Sequence, residues 1–209
     1  MMVELKKMSG SEKYYRLLDT MEMEKEFIIP FISTNLGRHA LEDLHVIWNE
    51  GVNMIPDNAP YEDRYEIAYG NWVRMAKNSY HFVRERMGDV GIKQFERAHT
   101  EALKKKNAGL SMTLLKVMRS VSPGTAFTFI ARQIFYEIQW FTTFSLIELS
   151  PDTACIEIDN CKILDFPDTE DLCLIGCQSS YPKWVANQLK VVMKYNRQNA
   201  GCICTLTPM

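Results

Sequence analysis

The chain of 209 residues lacks an excess of charge of either sign. Its 24 lysines and arginines face 26 aspartates and glutamates, a formal net charge of −2. A nucleic-acid surface or an anionic membrane calls for a basic patch, and this balance leaves a footprint for neither. Long hydrophobic runs are also missing. The longest, around Phe27–Ile32 and Phe141–Ile147, fall far short of the roughly 20 apolar residues that cross a bilayer, so no membrane insertion is expected. The opening stretch MMVELKKMSGSEKYY has neither an apolar signal core nor a small-residue cleavage site, which makes the cytoplasm the expected compartment. There is no Gly-rich phosphate loop, no Gly-x-Ser-x-Gly elbow, no Cys-x2-Cys knuckle, no internal repeat and no low-complexity linker.

What is present is ordinary globular material, 46% hydrophobic and 24% charged, enough for one compact domain. The first two thirds read as helices. Ser11 is the expected cap of a segment through Tyr14, Leu17 and Leu18, and a second stretch approaches Pro30 and stops near Gly37. RHALEDLHVIW places Leu41, Leu44, His45 and Trp48 at helical spacing. From Tyr61 to Met87, Trp72, Ala76, Tyr80, Val83 and Met87 form a stripe that Gly88 ends, and a further helix follows through Lys106. A shorter helix is expected from Gly109 to the Ser122-Pro123-Gly124 stop. Phe127, Ile130, Ala131, Ile134, Phe135 and Ile138 line one face of the next. After Trp140 the pattern changes. FSLIEL and ACIEIDN read as a β-hairpin, residues 171–190 as a helix containing Pro182, and KVVMKYN with CICTLTP as a closing hairpin. The expectation is an α+β fold: a helical N-terminal region, residues 1–107, packed on a small antiparallel sheet within residues 108–209.

Two groups of residues carry metal-type spacing. Cys173 and Cys177 share a face on a helix, and Cys202 and Cys204 share a face on a strand. Converging, they would offer four thiolates to zinc; buried inert thiols and a reactive thiol are the other readings. Glu42-x-x-His45 and Glu96-x-x-His99 repeat the pattern of di-iron bundles. Such a centre needs two more facing carboxylates. Glu85 falls opposite Glu96, but no acid falls opposite Glu42 near Phe31–Ser33, so a di-metal centre is not expected. The aromatic stripes read as core, or as an apolar pocket wall with Arg132, Tyr136 or His81 fixing a ligand.

The C-terminal half carries a resemblance. SPGTAFTFIARQIFYEIQWF, a hairpin, CLIGCQSSYPKWVANQL and VVMKYNRQNAGCICTL together resemble the 4-vinyl-reductase-like ligand-binding fold. Phenol-responsive transcriptional regulators and a class of vesicle-tethering trafficking subunits share that fold. Its members commonly close with Cys-x3-Gly-Asp-x2-Cys; here Asn196, Ala200-Gly201 and Cys204 stand in that register. The resemblance implies zinc held by Cys173 or Cys177 upstream and by Cys204, with Cys202 replacing the missing thiol. The middle stretch VRERMGDVGIKQFERAHTEAL is also similar to the L-2-amino-thiazoline-4-carboxylate hydrolase group.

Three functions follow as expectations. The first is a binding module for a small organic ligand, in a pocket bounded by Phe135, Trp140, Tyr181 and Trp184 with Arg132 nearby. The second is a hydrolase of a small heterocycle, in which Cys177, Cys204 or a metal-activated water attacks a C=N carbon. The third is a scaffold subunit that pairs with a partner, a second copy of the chain being one candidate.

Overall fold

A capping box starts the first helix. In the computed structural model, which describes residues 5–106 and 120–209, the Ser9 side chain accepts the backbone N–H of Glu12, and the Glu12 carboxylate accepts the N–H of Ser9. Two donors that a helix start leaves open are thereby satisfied. Ser11, the cap expected from the sequence, lies inside the helix. This helix, α1 (Gly10–Leu36), runs through Pro30 without a break, so the two expected segments are one. Gly37 ends it at φ 86°, a conformation that costs glycine little. The chain then enters α2 (Arg38–Asn49).

Helix α3 spans Tyr61–Lys106 with a kink at Gly88, where the sequence places a stop. Tyr65, Tyr69, Trp72, Ala76, Tyr80 and Val83 are buried along it at intervals of three and four. That stripe packs against Tyr14, Leu17, Ile28 and Ile32 of α1 and Leu44 and Trp48 of α2. Helix α4 (Pro123–Ile138) carries a proline in its first turn, where the missing N–H has no helical partner to lose. Its whole expected stripe, from Phe127 to Ile138, is buried. The helix expected from Gly109 and the region boundary at 107/108 lie outside the described residues.

Strands β1 (Ser145–Leu149), β2 (Ala154–Ile158), β3 (Val191–Gln198) and β4 (Gly201–Pro208) form one sheet in the order β1-β2-β4-β3, every pair antiparallel. The fold is therefore α+β, a helical layer on a small antiparallel sheet. The C-terminal strand is internal to the sheet. Period two turns Cys202, Cys204 and Leu206 to one face, where they pair across with Ile158, Ile156 and Ala154. Cys204 and Leu206 are fully buried. Ile203 points to the opposite face and is only half-covered. Between the hairpins run a 3-10 turn (Lys162–Asp165), α5 (Glu170–Leu172), a π-helical segment (Cys173–Ser180) and α6 (Tyr181–Leu189). Pro182 falls in the first turn of α6, which reconciles it with the helix expected there.

Two apolar cores result. One joins α1, α2 and α3 to Ile158, Ile163, Leu172 and Ile175. The other joins α4 and α6 to the inner face of the sheet. Phe141, Phe144 and Tyr195 pack against both, and this junction positions the site. No helix among the described residues is long and apolar enough to cross a membrane.

Candidate ligand cavity

A cavity of about 170 Å³ opens where the two cores meet. Helix α1 contributes Arg16, Thr20, Met23 and Glu24, and α3 contributes Trp72, Tyr80, His99, Leu103 and Lys106. The far wall is Trp140 and Phe141 after α4, Cys177 and Gly176 of the π-helical segment, Tyr181 and Trp184 of α6, and Tyr195 of β3. The wall is braced from behind. Tyr65 donates its hydroxyl to the Trp140 carbonyl at 2.5 Å, and Tyr69 donates to the Phe141 carbonyl at 2.9 Å. Trp72 and Trp140 meet edge to face with ring centres 4.9 Å apart, and Tyr181 and Trp184 sit 5.2 Å apart.

The polar atoms on this wall are unusual. Glu24 Oε2, Trp72 Nε1, His99 Nδ1, Trp184 Nε1 and Tyr195 Oη are all buried and make no well-formed hydrogen bond among the described residues, although the Trp72 indole is turned toward the Glu24 carboxyl and the Tyr195 hydroxyl toward the Cys204 thiol. Each belongs to a residue that lines the cavity. An unsatisfied buried polar group costs about 1–3 kcal/mol. A cavity whose contents complete these bonds removes that cost.

Burial pushes the Glu24 carboxyl up to about 7, against the pull of the nearby Trp72 indole and Lys106 ammonium. It pushes His99 down to about 4, against the pull of Glu96. His99 stacks on Phe27 with ring centres 5.2 Å apart, nearly parallel. The other charges on the wall have partners. Arg16 and Glu137 form an ion pair at 2.8 Å, and Lys106 Nζ donates to the Asp19 carbonyl at 2.7 Å.

Of the residues picked out from the sequence, Trp140, Tyr181, Trp184 and Cys177 border the cavity. Phe135 lies in the second core against Phe144, Arg132 is exposed on α4, and neither reaches the cavity wall. Tyr136 hydrogen-bonds Glu12 at 2.7 Å on the surface. The cysteines divide differently from the sequence pairing. Cys173, Cys177 and Cys202 gather with Cys161 around a separate void of about 20 Å³, while Cys204 packs in the second core. Burial, then the neighbouring thiols, pushes Cys177 well above its ordinary value. Burial, with Cys161 and Cys173, pushes Cys202 up to about 12. Among the described residues, no group of three or more His, Cys, Asp or Glu is arranged to hold a metal ion, and no step is assigned to zinc.

The two Glu-x-x-His pairs do not meet. Glu42 contacts Arg38 and His39 on the exposed face of α2, and His45 is exposed beside Trp48. Glu85 is exposed. Glu96 bonds Lys183 and Ser179; burial works against its charge, yet those two bonds hold it below the usual carboxylate range. His99 alone of the four residues turns into the cavity.

Sequence reasoning missed Glu24, although a signal exists. Tyr14, Leu17, Met21, Glu24, Ile28 and Ile32 share one helical stripe, and a lone acid on an otherwise apolar stripe asks for a partner. His99 repeats the signal after Ile92 and Phe95. Scans of the chain against protein-family models, curated proteins and solved structures return no match.

Proposed function

We propose that the chain is a small-molecule-binding protein whose ligand occupies the cavity between α1, α3, α6 and β3. The observation that carries this reading is the convergence of buried polar atoms, Glu24 Oε2, His99 Nδ1 and Trp184 Nε1 among them, that make no well-formed hydrogen bond on one largely apolar cavity. Ligand sites pair apolar walls with a few placed polar groups in this way. The size fixes the scale of the ligand: a cavity of about 150 Å³ holds a benzene-sized ring, so about 170 Å³ suits a single ring with a short substituent. A sensor or carrier of the 4-vinyl-reductase-like kind, with its pocket between helices and sheet, is the form of the proposal that the sequence resemblance favours.

Hydrolysis of a heterocycle by cysteine is less well supported. Cys177 borders the cavity, but burial holds it as the thiol rather than the nucleophilic thiolate. Cys204 is not on the cavity wall. Native mass spectrometry of the freshly purified chain tests the binding reading. A one-to-one adduct that denaturation removes supports it. A bare chain that also takes up none of a set of single-ring compounds speaks against it.

A further inference from the structure

Among the described residues, Glu24 is the one acid on the cavity wall that forms no ion pair, and only the neutral Trp72 indole is turned toward its carboxyl. Its residue is 8% exposed, and Oε2 is buried and unbonded. The second wall acid, Glu137, is engaged by Arg16. The nearest cation, Lys106, is turned to the Asp19 carbonyl. Trp72 and Tyr80 neighbour this carboxyl, and the rings of Trp140 and Tyr181 line the same cavity. An ammonium group placed there would meet both an ion-pairing acceptor and electron-rich rings.

We infer that the cavity selects a small organic cation, a protonated amine on a body of about one ring, with Glu24 as the residue that sets this preference. The inference rests on the reading of the cavity as a binding site. The amine N–H donates to Glu24 Oε2, and the ring fills the aromatic part of the wall. An acceptor on the same ligand would answer the indole N–H of Trp184, which lacks an acceptor among the described residues.

The test uses three probes of similar shape and different charge: benzylamine, benzyl alcohol and benzoate, titrated calorimetrically into the full chain near neutral pH. Benzylamine is expected to bind at least about tenfold more tightly than benzyl alcohol, the gain that one desolvated cation contact supplies. In Glu24→Gln the two affinities should converge to within about twofold, while benzyl alcohol still binds. If benzyl alcohol or benzoate binds as well as benzylamine, or if the preference persists in Glu24→Gln, the inference is overturned and the cavity remains a binding site. If none of the three binds, the reading beneath it falls as well. Should Glu24→Gln not fold, the ranking of the three probes on the unaltered chain decides.

Discussion

Replacing Glu24 by glutamine keeps the shape of the side chain and removes its titration. In the folded chain burial raises the carboxyl from 4.5 to about 7. The folded state therefore holds a proton that the unfolded chain releases between those values. The sign follows from linkage: a raised folded value contributes stability that is complete below pH 4.5 and lost as pH rises through about 7. A shift of this size corresponds to about 3 kcal/mol at ~1.4 kcal/mol per pH unit. His99 works in the opposite direction. Its folded value falls from 6.5 to about 4, so its contribution is present above 6.5 and lost as pH falls through 4. The two slopes oppose each other through much of the acid range, and the unaltered chain alone would hide both. The difference between Glu24→Gln and the unaltered chain isolates Glu24. Denaturant unfolding at a series of pH values from about 4 to about 8 should show the variant gaining about 3 kcal/mol relative to the parent across that range, with unchanged m-values. A difference that stays flat with pH would refute the placement of Glu24 as a buried, unpaired carboxyl.

Other consequences can be checked separately. Tyr69→Phe leaves the Phe141 carbonyl without its donor and should cost about 1–3 kcal/mol in denaturant unfolding; an unchanged midpoint would mean the brace is not formed. Deleting residues 200–209 removes the strand between β2 and β3 and should abolish soluble folding, whereas a truncated chain with the parent melting temperature would contradict the sheet order. A native thiol titration should leave Cys204, 0% exposed, unreacted until denaturant is added, and rapid labelling of Cys204 in the folded chain would contradict its burial.

The elements legible in the sequence are those whose pattern is local. The α4 stripe from Phe127 to Ile138 and both hairpins declare themselves by period and turn chemistry, because burial on one face is written directly into residue spacing. Gly88 marks the break in α3 for a similar reason, since φ 62° there suits only glycine. The choice of Ser9 over Ser11 as cap is equally local: Glu12 lies three residues after Ser9, and that capping-box spacing decides it. The π-helical bonding of Cys173–Ser180 has no composition of its own to read. The cavity is the least legible feature. Glu24 and His99 lie 75 residues apart, and only the packing of α1 on α3 brings both to one wall with Trp184 and Tyr195. The cysteine grouping failed to read for the same reason. Cys161 joins Cys173, Cys177 and Cys202 through a turn between the hairpin and α5, while Cys204 sits one step along β4 in the other core.

Uptake of a ring by that cavity can be measured directly. Gly176 lines it, and a Cβ built there meets no heavy atom within 4 Å, so Gly176→Phe places a side chain in open space without forcing the backbone. Tryptophan emission reports the event, because Trp72, Trp140 and Trp184 are on the wall. Titrating benzyl alcohol into the unaltered chain and into Gly176→Phe should give a saturable one-to-one change in the first and none in the second, with both chains equally folded by circular dichroism. An unaltered chain that shows no saturable change, or a variant that binds as its parent does, would contradict the claim that this cavity is the ligand site.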